Sequence, residues 1–99
     1  MRQYDVYRNP ASPSARFAPY LIVLQSHYVV LDTVLVAPLV VDKVASSIEI
    51  GIDIGGTHLV MALTEMGSVR SASLTAKITN LLEREYDIQR ALDRLFRGF

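Results

Sequence analysis

Cysteine is absent from this 99-residue chain, which excludes disulfides, thiolate zinc sites and cysteine nucleophiles together. Net charge is absent as well: ten basic and ten acidic residues give a formal charge of +0, and the bases are scattered from Arg2 to Arg97. A protein that grips nucleic acid through its backbone needs clustered positive charge to displace counterions, so direct nucleic-acid binding is not expected. Residues 1–9 are polar and lack the apolar core of a signal peptide, and a cytoplasmic location is the expectation. The two histidines, His27 and His58, have no partners at metal-ligand spacing. Neither a metal nor a cofactor is expected. Internal repeats and low-complexity segments are also missing.

What the chain has in plenty is apolar surface. Hydrophobic residues make up 51% of it and the mean hydropathy is +0.26. A chain of this length reads as one domain, residues 1–99, that buries only about two-thirds of its unfolded surface. So much apolar material on so small a body implies a patch covered by dimerisation. Residues 21–41 form the longest apolar run, about the length of a membrane span. The run contains Gln25, His27, Asp32 and Pro38, and a central Asp alone costs about 2.5–3.5 kcal/mol on insertion. Its Val, Ile and Tyr content suits core strands instead, so no membrane association is expected.

Alternation between Tyr4 and Val6 suggests a first strand, followed by a loop at Asn9, Pro10, Ser12, Pro13 and Ser14. Residues 20–24, 28–31 and 34–41 are strand material, with Gln25-Ser26-His27 as a turn and Asp32-Thr33 as a break. Pro38 should end pairing, mark a bulge or lie on an edge. The clearest β pattern follows. Ile48, Ile50, Ile52 and Ile54 face one side and Glu49, Gly51 and Asp53 the other; Gly55-Gly56 turns the chain, and residues 58–63 return. A helix should open at Leu82 or Glu83 and run to about Arg97. Ile88, Ala91, Leu92, Leu95, Phe96 and Phe99 form its apolar stripe, early acids and late arginines match its dipole, and Gly98 caps it. Strands followed by one terminal helix give an α+β, mainly β fold: a small twisted or barrel-like antiparallel sheet with the helix packed on it.

Catalytic motifs are weak. Asp53-Ile-Gly-Gly-Thr57 resembles the first phosphate-contacting loop of hexokinase-like sugar kinases, but such kinases need a second lobe and a far longer chain, so a plain hairpin is the expectation. His27 beside Ser26, with Arg16 or Arg70 stabilising charge, is the one candidate set for RNA cleavage. A histidine at a strand end is more often a hydrogen-bonded turn residue.

A family resemblance runs over most of the chain. Tyr4-Asp-Val-Tyr7, Leu24-Gln-Ser26, Val36-Ala-Pro-Leu39, Thr64-Glu-Met-Gly-Ser-Val69 and the ending from Tyr86 to Phe99 resemble CcdB-type toxins in order and spacing. The resemblance implies an SH3-like barrel with a C-terminal helix, a two-fold homodimer, and no enzymatic activity. It implies a cognate antitoxin with a disordered tail that folds on binding, DNA contact only as an operator complex with that antitoxin, and the DNA gyrase A subunit as target. Tyr28, Val29, Val30, Leu95 and Phe96 match the family's dimer regions, and Arg97, Gly98 and Phe99 match its target-binding Trp-Gly-Ile end. Arg97 replaces the tryptophan that stacks on a gyrase arginine, and two like charges forfeit a cation–π attraction of about 0.5–2 kcal/mol. The family's basic turn is also missing around Asp32-Thr33. Fold and antitoxin pairing therefore carry over better than gyrase poisoning. The alternatives are an RNA-cleaving, MazF-like toxin on the same barrel and a non-toxic interaction module.

Overall fold

A computed structural model describes residues 1–11, 13–26 and 31–98. Among the described residues seven strands are formed: β1 (Asp5–Arg8), β2 (Tyr20–Val23), β3 (Thr33–Val40), β4 (Ile50–Ile54), β5 (Thr57–Met61), β6 (Gly67–Arg70) and β7 (Lys77–Asn80). One helix, α1 (Glu85–Arg97), closes the fold. The pairing order is β4-β5-β3-β2-β1-β7, all antiparallel, with β6 also on β3. The sheet curls into a half-barrel, as the α+β reading expects.

The curl has a visible cause in β3. Its Thr33–Val36 half pairs with β6, and its Leu39 and Val40 pair with β5, so one strand edge serves two partners. Pro38 sits at the changeover. It is in register with Leu21 of β2, while its carbonyl accepts from the Ala62 N–H at 2.9 Å on the opposite edge. Its nitrogen, which has no proton to give, therefore faces the gap between β6 and β5, where no ladder donor is needed. Pro38 neither ends pairing nor lies on an outer edge, and Thr33 opens β3 rather than breaking it.

Both faces of the central strands are covered. Tyr4, Val6, Ile22, Leu39, Ile52, Leu59 and Met61 pack with Ile88 and Ala91 of α1. On the other face, Tyr7, Leu21, Val23, Val34, Val36 and Leu74 form a second cluster. Two covered faces explain why β2, Tyr-Leu-Ile-Val, shows no alternation. Each fully buried Ile or Leu contributes about 1.5–3 kcal/mol, so these clusters dominate stability.

Several expectations shift in detail. Tyr4 precedes β1 with φ 69, a conformation that costs a non-glycine residue about 1–2 kcal/mol. The strain turns its ring fully into the core. Of residues 28–31, expected as a strand, 28–30 lie outside the described residues, and Leu31 is exposed and unpaired in the sheet. The β4 alternation holds from Ile50 to Ile54 but fails at Glu49, which is buried. The β4–β5 turn is as expected: Ile54 faces Thr57, and Gly55 and Gly56 have φ 56 and 82. The terminal helix begins with a 3-10 turn at Leu82–Arg84 before α1. Strands β6 and β7 have no counterpart in the sequence pattern.

Candidate functional site

Of the expected target-binding residues, Arg97 ends α1 and Gly98 follows it as the cap. Ile88 and Ala91 are buried and Leu92 and Leu95 pack against the core cluster, which fixes the helix axially and in rotation. Three polar ties supplement the packing. Gln89 Nε2 donates to the Tyr4 hydroxyl at 2.7 Å, Arg84 Nη2 to the Gly51 carbonyl at 3.3 Å, and Arg94 Nη1 to the Ser47 carbonyl at 2.9 Å. Burial is the largest influence on the Tyr4 phenol and raises its pKa, and the Glu85 charge adds to the rise against the Gln89 hydrogen bond. Tyr4 is therefore a neutral anchor at physiological pH.

At the helix end, Gly98 takes the left-handed conformation, φ 81, and its N–H bonds the Arg94 carbonyl at 3.0 Å. This is the expected glycine cap. Arg97 and Gly98 are exposed, and Phe96 is 71% exposed although the periodicity put it on the apolar stripe. Leu95 and Phe96 thus divide: one leans on the core, the other faces outward. Phe99, Tyr28, Val29, Val30 and His27 lie outside the described residues.

The β4–β5 hairpin holds the glycine motif. Asp53 and His58 are paired across its strands, and the Asp53 carboxylate meets His58 Nδ1 at 2.8 Å in an exposed position. The His58 ring lies against Gly51, where an added Cβ would come within 2.8 Å of it. This is a cross-strand pair on a turn. Arg16 lies on a 3-10 turn, Ser14–Arg16, and Arg70 ends β6 opposite Thr33; both are exposed. Among the described residues no group of acids and histidines could hold a metal ion. No helix among them is long and apolar enough to cross a membrane.

Two polar nodes escaped the sequence reading. Asp5 accepts from the Arg2 N–H at 2.8 Å, Asn80 Nδ2 at 2.9 Å and Lys77 Nζ at 3.1 Å, tying β1 to β7. Burial is the largest influence on Asp5 and pushes its pKa up, but these donors together outweigh it and hold the carboxyl below its ordinary value. Glu49 behaves the same way: burial raises it, and Lys43 Nζ at 2.7 Å with the Ser46 hydroxyl and N–H bring it below normal. The only sequence signal for Glu49 was its place between two isoleucines, which reads equally well as an outward position.

A curled antiparallel half-barrel sheet capped by a C-terminal helix, with exposed residues at the helix tip, defines a mainly β domain of the SH3-like α+β class. The family model described as CcdB protein matches residues 3–98, nearly the whole chain, and the chain belongs to that family. Membership makes it a toxin of the type II toxin–antitoxin class, whose family members act by binding protein rather than by catalysis. No curated protein matches the chain.

Proposed function

We propose that the protein works as a homodimeric gyrase-directed toxin that touches its target through Arg97, Gly98 and Phe99 and is neutralised by a cognate antitoxin. The observation that carries this reading is the division of labour along α1. Ile88 and Ala91 are spent on the core, whereas Phe96 and Arg97 are exposed and outside the packed core cluster, and exposed Gly98 serves only to cap the helix. Residues that stabilise no core are free to be selected for contact with another protein.

Arg97 is the weak point of gyrase poisoning, since a guanidinium opposite a target arginine supplies repulsion where the family has a stacking ring. Arg97→Trp restores the ring and removes the opposed charge. In an assay with gyrase and supercoiled DNA, the variant is expected to trap more cleaved DNA than the parent. Equal cleavage by both chains would remove gyrase as the target of this surface.

A further inference from the structure

The changeover of partners on β3 leaves its mark on the sheet face opposite α1. The β6 register ends with Val36 facing Gly67, and the β5 register begins with Leu39 facing Met61. Over the stretch between them lies a groove of about 420 Å³. Val36, Pro38 and Val40 line it at two-residue steps along one face of β3, and Leu21, paired with Pro38, extends the floor onto β2. Hydrogen bonds of the fold hold one wall. The Val41 N–H donates to the Phe17 carbonyl at 2.9 Å, and Asn9 Nδ2 donates to the Ala18 carbonyl at 2.8 Å. Phe17 lines the groove and is still 71% exposed, which puts its ring at the lip. The opposite wall comes from the 3-10 turn Leu63–Glu65 and the start of β6.

Size and charge select the ligand. Pockets for small molecules hold about 300–1,000 Å³, a range that includes this groove. Glu65 is the one charged residue in its lining, and the exposed carboxylate makes no hydrogen bond or ion pair among the described residues. An acid would meet a like charge there. A purely apolar ligand would take water from the carboxylate and give it no partner. Gly67 supplies room: it faces Val36 across the ladder, on the groove side, and a Cβ built there meets nothing within 4 Å.

We propose that this groove binds a small organic cation, a primary amine on an apolar body. The ammonium pairs with Glu65, the hydrocarbon lies on Val36, Pro38 and Val40, and the Phe17 ring covers it from the lip. The site is on the other sheet face from α1 and uses no residue of the helix tip, so it is tested apart from the toxin reading.

The test is a methyl and amide NMR titration of the full-length protein with 2-phenylethylamine. Its control is 3-phenylpropanoate, which carries the same ring and the opposite charge. The amine is expected to shift the Val36 and Val40 methyls and the Gly67 amide saturably, and the acid is not. The Glu65→Gln variant is expected to bind the amine roughly ten-fold more weakly, with its melting temperature unchanged. Gly67→Leu is expected to abolish binding by filling the groove. No saturable shift with the amine, equal affinity for amine and acid, or equal binding by the parent and Glu65→Gln would each overturn the proposal. Sedimentation checks the other occupant, a second copy of the chain. A Gly67→Leu chain that no longer dimerises would make the groove an interface between copies, and the proposal would fall.

Discussion

Asp5 and Glu49 are buried acids, each held charged by surrounding donors, and the same donors give the fold a pH dependence of defined sign. Both folded pKa values lie below the ordinary ones, so their stabilisation is complete above the unfolded values of about 3.9 and 4.3. It is lost as the pH falls through the lower folded values. A Glu49→Gln variant is expected to melt below the parent at neutral pH and to converge on it as the pH drops below about 4. Thermal melts across that range check this. A gap that stayed constant down to acid pH would mean that the carboxylate charge is not what Lys43 and Ser46 recognise.

Among the elements, the β4–β5 hairpin was the most legible, for a reason confined to a few residues. A two-residue turn with both centres at positive φ strongly favours glycine, and Gly55 and Gly56 meet that need at φ 56 and 82. Replacing Gly56 by Val is expected to destabilise the protein by roughly 1 kcal/mol or more, read by denaturant unfolding. An unchanged midpoint would show that the turn relaxes freely. The terminal helix was legible from its period, and the capping glycine from its position. Strands β6 and β7 were not, because Gly-Ser-Val-Arg and Lys-Ile-Thr-Asn lack alternation. They form because β3 and β1 offer unpaired ladder edges, a tertiary cause that no short window contains. Glu49 was misplaced for a related reason: its donors Lys43 and Ser46 reach it only once the preceding segment has folded back.

At the scale of the whole molecule, family membership follows from the match over residues 3–98, while assembly and target are proposals resting on surface residues. The end of α1, where the candidate site is proposed, was legible in the helical period, but the division between Leu95 and Phe96 was not. Helical period places both on one stripe, and only the packed structure shows Leu95 against the core and Phe96 exposed. Phe96→Asp is therefore the cleaner probe of dimerisation. Sedimentation is expected to find the parent dimeric at micromolar concentration and this variant monomeric with its fold intact. A parent that sediments as a stable 11.0 kDa monomer would remove the two-fold assembly from the account.

If toxicity resides in the helix tip, which lies outside the packed core and contributes only the Gly98 cap to the fold, truncation tests it most directly. The parent chain and a chain lacking Gly98 and Phe99 are expressed side by side and growth is followed, with melting temperature and dimerisation measured on the purified proteins. Growth arrest by the parent, none by the truncated chain, and nearly matching stability and assembly are the expected results. A truncated chain that arrests growth as fully as the parent would contradict the account and place the active surface elsewhere on the molecule.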